Sequence, residues 1–141
     1  MKCLRACLLC GSLAAASPAF AVTCNVQSNG VAFGAYDTLG LAPLDGVGNI
    51  HISCDAATSF TIGLGSGSGS YQQRSMTGGP SRLQYNLYRD SSRLSAWGEG
   101  LGNDVSATGI NVDSTVYGRI PARQNVTAGV YVDTIAVTIS Y

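Results

Sequence analysis

The last eleven residues, Tyr131 to Tyr141, constrain the fold more than any other stretch. Ile135, Val137, Ile139 and Tyr141 alternate with Thr134, Ala136, Thr138 and Ser140. A period of two becomes one apolar and one polar face only in an extended strand. Such a strand is expected to lie centrally or to await a partner, because no residue follows Tyr141 to return and cover its far edge. Exposed edges of this sort template strand addition from another chain.

The same period recurs upstream. Val22 to Gln27 reads as a first strand, with Val31 to Phe33 continuing it. Ile50, Ile52 and Cys54 alternate with Asn49, His51 and Ser53, which turns His51 to solvent. Phe60, Ile62 and Leu64 form the inward set of Ser59 to Leu64, and Leu83, Tyr85 and Leu87 that of Arg82 to Asp90, leaving Gln84, Asn86 and Tyr88 on the other face. Val116 to Ile120 is a further strand, stopped by Pro121, which has no N–H for a ladder. Gly65 to Ser70 reads as a flexible linker-like loop. Asp90 to Asp113, rich in Ser, Gly and Asn, reads as loops and short edge strands, and Gln124 to Gly129 as a turn. Helical periodicity is nearly absent, so the expected class is all-β: an immunoglobulin-like sandwich of short strands and Gly-rich turns, with no helix of ordinary length.

Residues 1–21 read as a secretory signal: Lys2 and Arg5 give a positive start, Ala6 to Ala16 an apolar stretch, and Ala19-Phe20-Ala21 a small-x-small cleavage site. The domain is then 22–141. The apolar run is too short to span a bilayer, and no later stretch approaches the roughly 18 apolar residues that a membrane helix needs. The mature chain is expected to be exported and not inserted in a membrane. Three of the 5 cysteines lie in the leader, and the remaining Cys24 and Cys54 are expected to form one disulfide in an oxidising compartment. Closing a loop of about 30 residues stabilises a fold by roughly 3 to 4 kcal/mol on the chain-entropy model.

Charge excludes several function classes. Charged residues are 11% of the chain, with 8 basic and 8 acidic, against about a quarter in an average domain. Nucleic-acid binding needs a basic footprint that is missing here. His51 is the single histidine, placed mid-strand beside no nucleophile motif, so no catalytic residue is expected. Gly63-Leu64-Gly65-Ser66-Gly67 precedes no helix and the mature chain has no lysine, which argues against a phosphate site. Asn103, Asp104, Asn111 and Asp113 match no calcium-loop spacing, so no metal and no cofactor is expected. Asn125-Val126-Thr127 is formally a glycosylation sequon and is read as a turn. Trp97 lies in a loop and is weighed as a possible ligand surface against a place in the core.

Phe33-Gly34-x-Tyr36, Ile52-x-Cys54, Tyr85-Asn86-Leu87-Tyr88-Arg89-Asp90, Trp97-Gly98-x-Gly100, Tyr117-Gly118-Arg119-Ile120-Pro121-Ala122 and Gln124-Asn125-Val126-x-Ala128-Gly129-x-Tyr131-x-Asp133-Thr134 stand in order along the chain. Together they resemble the spore coat U domain family, which includes secreted spore coat proteins and the pilins of archaic chaperone-usher pili. The resemblance runs from Cys24 to Tyr141. It implies an immunoglobulin-like sandwich lacking its last strand and completed by donor-strand complementation. A periplasmic chaperone would lend the strand, and an outer-membrane usher would exchange it for the N-terminal extension of another pilin subunit.

On this carry-over Ile135, Val137, Ile139 and Tyr141 line one side of the groove and pair with the chaperone, and Val22 and Val26 line the other. The disulfide falls between the first strand and Cys54. Cleavage after Ala21 leaves only Val22 and Thr23 before Cys24, too few for a strand to lend. The expectation is a subunit that accepts a strand without giving one, in a tip-like or capping position of a cell-surface fibre or in a secreted coat. The alternative is a self-contained secreted coat or carbohydrate-binding module.

Overall fold

The computed structural model describes residues 21–100 and 102–141, so the leader, except its last residue, lies outside them. Six strands form: β1 (Cys24–Asn29), β2 (Leu44–Leu64), β3 (Arg74–Gly78), β4 (Ser81–Tyr88), β5 (Val105–Ile120) and β6 (Val137–Ser140). The described residues contain no helix, and every strand pairing is antiparallel. The all-β expectation holds.

β2 and β5 are the spine. They pair from Leu44↔Ile120 to Ser53↔Asn111 and again from Thr58↔Gly109 to Ile62↔Val105. Between these runs Cys54 to Ala57 stand against Ile110 alone, a bulge that bends the strand and curls the sheet. The two strands expected over Asn49–Cys54 and Ser59–Leu64 are therefore one strand of 21 residues. Its inward set is the expected one: Ile50, Ile52, Cys54, Phe60, Ile62 and Leu64 are all buried. Leu83, Tyr85 and Leu87 of β4 meet them with Val116 and Ile120 of β5. Each such side chain contributes about 1.5–3 kcal/mol on burial.

The remaining strands close most of the curl. β1 covers the free edge of β2 from Asn49 to Cys54, where Cys24 lies opposite Cys54 and forms the disulfide. β6 takes the same edge farther along, at Thr61 to Leu64. β5 passes through β4 to β3, whose Thr77 exchanges two backbone hydrogen bonds with Val132, at 2.8 and 3.1 Å. The chain leading into β6 thus runs first along β3 and then along the end of β2.

Three expectations fail for physical reasons. The strand expected over Tyr131–Tyr141 is in ladder only from Val137 to Ser140, with an isolated bridge at Val132, because residues 66–73 leave the sheet between β2 and β3 and interrupt the partner edge. Val31 to Phe33 is not a strand, since none of the other described segments pairs with it. β5 begins at Val105, inside the stretch read as loops. Asn86, on the face opposite Leu83, Tyr85 and Leu87, is buried as well: its Nδ2 donates to the carbonyls of Tyr71 and Gln72 and its Oδ1 accepts from Arg74.

Candidate functional site

Between β1 with its continuation and the segment leading into β6, the fold is open. One wall is formed by Ser28 to Val31 and Phe33, the other by Tyr131 to Asp133, Ile135 and Val137, and the floor by Ile50, Leu64, Met76, Tyr85, Leu87 and Val116. This cleft holds about 280 Å³. Val31, Phe33, Met76 and Tyr131 also line a second cleft of about 720 Å³ beside it, walled by residues 31–38 and 126–131 over Leu83 and Ile120. An enclosed apolar cavity of roughly 150 Å³ holds a benzene, so the narrower cleft alone has room for at least two aliphatic side chains.

Backbone chemistry makes this groove specific. Val132 donates its N–H to Thr77 O and accepts from Thr77 N–H, Ala136 O accepts from Gly65 N–H, and Val137 to Ser140 pair with β2. In an extended chain successive residues aim their polar backbone groups to opposite edges. Tyr131, Asp133 and Ile135 therefore aim theirs at the groove, and among the described residues no backbone bond between segments uses them. Their side chains, with Val137 and Ile139, are half-buried inward, while Thr134, Ala136 and Thr138 are exposed. Across the groove, pairing of β1 with β2 stops at Asn29. Two unpaired edges flank an apolar floor.

Of the residues assigned to this groove from the sequence, Ile135 and Val137 line it. Ile139 packs half-buried against the core beyond the end of the cleft. Tyr141 is 63% exposed and outside it. Val22 packs against the core but does not line the cleft, and Val26 is 39% exposed opposite Ile52. The register moves the first wall along: β1 is held in the ladder through Asn29, so the wall is Ser28 to Phe33. The period-two set Val31 and Phe33 was the available signal. Trp97 is not a ligand surface, since it is 1% exposed and its Nε1 donates to the carbonyl of Ile62 at 2.9 Å. The loop that carries it folds inward beside β4, where Trp97 N donates to Leu87 O.

Two polar groups passed over in the sequence hold the groove wall. Arg74 is completely buried, and its guanidinium donates to the carbonyls of Leu64, Gly65 and Trp97 and to Asn86 Oδ1 at 2.7–3.1 Å. Burial lowers its pKa from the usual arginine value. Asp133 Oδ1 accepts from Ser68 N–H, Ser68 Oγ and Thr134 N–H, and its Oδ2 accepts from Tyr85 Oη at 2.8 Å. Burial, then the bond to Asp133, pushes the Tyr85 phenol well above its ordinary pKa. Gly67 adopts φ +59° in this turn, and a Cβ there would collide with Asp133 Oδ2. Gly65 to Ser70 is thus a turn fastened to the wall rather than a flexible linker.

His51 lies on the outer face with Nδ1 3.0 Å from Asp113 Oδ1, while the neighbouring Ser53 hydroxyl is given to Asn111. Among the described residues no three His, Cys, Asp or Glu side chains group as metal ligands do.

The Spore Coat Protein U domain family matches this chain over residues 11–138. Protein U of Myxococcus xanthus is 35% identical over 126 residues, covering 77% of this chain and 70% of that protein. A similar fold occurs in the crystal structure of the CsuC–CsuE chaperone–tip adhesion subunit pre-assembly complex from archaic chaperone-usher Csu pili of Acinetobacter baumannii. There the TM-score is 0.61 at 23% identity, over 85% of this chain and 40% of the matched chain.

Proposed function

The chain belongs to the Spore Coat Protein U domain family, a family of structural subunits rather than enzymes, and we propose that it is an exported subunit of a cell-surface pilus or coat that accepts a strand from a partner. The observation that carries this reading is the groove, with unpaired backbone edges on both sides and an apolar floor between them. A strand laid there pairs with Tyr131, Asp133 and Ile135 through its backbone and fills the two clefts with alternate side chains. Burying four or five such side chains at about 1.5–3 kcal/mol each gives a gross gain on the order of 10 kcal/mol, comparable to the whole stability of a domain. The partners are a periplasmic chaperone, an outer-membrane usher and other subunits by strand exchange. The chaperone would hold the groove closed in the periplasm until assembly.

Residues 1–21 act as the export signal in this reading, and the subunit takes a strand without giving one. β1 supports acceptance alone, because its residues from Cys24 to Asn29 are already engaged with β2. Edman sequencing of the exported protein tests that part: a mature start well before Ser17 would contradict it. Acceptance itself is tested by fusing an alternating apolar strand through a Gly/Ser linker after Tyr141 and expressing both forms in an oxidising periplasm. The fused form is expected to be soluble and monomeric, with a melting temperature tens of degrees higher. Equal melting temperatures of the two forms would contradict it.

A further inference from the structure

Taking the groove as a strand acceptor, we infer that the incoming strand is not apolar at every inward position: opposite Asp133 it carries a hydrogen-bond-donating side chain, with lysine preferred. Among the described residues Asp133 is the only charged one lining the narrower cleft. Its four hydrogen-bond donors, on Ser68, Thr134 and Tyr85, are all neutral. No cationic nitrogen lies within 4.0 Å of its carboxylate among the described residues. Arg74, buried nearby, directs its hydrogen bonds to Leu64, Gly65, Trp97 and Asn86 instead.

Asp133 is half-exposed where it lines the groove, so part of its carboxylate is open to solvent. A strand laid along Tyr131 to Val137 covers that part, and a carboxylate taken out of solvent without a replacement donor is penalised. Oδ2 keeps capacity for a further bond, since it accepts from Tyr85 Oη at 2.8 Å and only distantly, at 3.3 Å, from Ser68 N–H.

Inward side chains of paired strands face one another in register. The incoming strand therefore presents apolar residues toward Ile135 and Val137, a donor toward Asp133, and an apolar residue toward Tyr131. Spacing of two along the strand turns this into a pattern, read from the position opposite Val137 to the one opposite Tyr131: apolar, any, apolar, any, donor, any, apolar.

The test uses the full exported subunit and fluorescently labelled eleven-residue peptides with valine or isoleucine at inward positions and threonine or serine outward. Lysine, serine, leucine or glutamate is moved through the inward positions in turn, and binding is read by anisotropy. The expected result is one position at which lysine binds about tenfold tighter than leucine, with glutamate weaker than both, as a hydrogen bond to a charged group implies. At the other inward positions leucine is best. Asp133→Asn removes the preference for lysine over leucine at that position and leaves the other positions unchanged. If leucine is best at every inward position of the wild-type protein, the inference is overturned while strand acceptance stands. If Asp133→Asn weakens all peptides alike, Asp133 only supports the wall and the inference fails. If no peptide binds, the acceptor reading falls and takes the inference with it.

Discussion

The β2–β5 spine and the two walls of the groove are built from the same period-two sequence, yet one is closed and the other open. Along the spine, β5 pairs with β2 from Leu44 to Ser53 and from Thr58 to Ile62, and the inward residues Ile50, Ile52, Phe60 and Ile62 are buried. At the groove, Tyr131, Ile135 and Val137 alternate just as regularly but are only half-buried. What separates the regions is not side-chain pattern but the presence of a neighbouring strand. Stability is therefore concentrated in the spine, and the groove walls are held by a few local devices: the disulfide on one side, and the Arg74 and Asp133 contacts on the other.

That comparison breaks most visibly at Arg74. Arg74→Leu leaves the carbonyls of Leu64, Gly65 and Trp97 and the Asn86 amide without their shared donor, at an expected cost of about 4 kcal/mol or loss of folding. Denaturant unfolding measures it, and a cost below about 1 kcal/mol would show that the wall does not depend on this residue. Replacing Cys24 and Cys54 together with serine is expected to cost about 3–4 kcal/mol, since the bridge spans 30 residues and anchors β1 beside the groove.

Ile62→Ala and Ile135→Ala then sharpen the contrast. In the lone subunit the first is expected to cost about 3 kcal/mol and the second under about 1 kcal/mol. In the strand-fused form the cost of Ile135→Ala rises severalfold while that of Ile62→Ala stays the same, and equal costs in both forms would erase the distinction between closed and open regions.

The smallest expected effect is with pH. Arg119, hydrogen-bonded to Asp45 at 2.7 and 2.9 Å, holds that carboxyl below the usual range, with Arg93 adding to the effect. The Ser92 hydroxyl, then the N–H of Leu94, do the same for Asp90, and Asn49, then His51, for Asp113. All three have lower pKa values folded than unfolded, so their stabilisation is complete above the ordinary carboxylate pKa of about 4 and is lost as pH falls through the lowered values. Melting temperature is expected to be flat from about pH 8 to 5 and to fall below about pH 4, with Asp45→Asn reducing the fall.

Much of the fold was legible because most strands bury one face. Ile50, Ile52, Phe60, Ile62, Leu83, Tyr85 and Leu87 could be read from alternation alone. β3 was not, because Arg74 stands at a core position and only its carbonyl partners, remote in sequence, make that tolerable. The start of β5 was hidden because Ser106, Thr108 and Asn111 surround small or modest inward residues. For the site, Ile135 and Val137 were legible from their strand, whereas the opposite wall depended on how far β1 stays in register with β2. No composition or period encodes that length. Asp133 stood within a recognised run of residues, but its place in the groove emerges only when residues 66–68 fold back onto it.

Amide hydrogen exchange, followed residue by residue in the lone subunit and in the strand-fused form, bears most directly on the open groove. The expected result is strong protection at Ile50, Ile62 and Val116 in both forms, with Tyr131, Asp133 and Ile135 exchanging freely in the lone subunit and becoming protected only when the strand is present. Protection of those three amides in the lone subunit, or no gain on fusion, would contradict a fold that is one strand short.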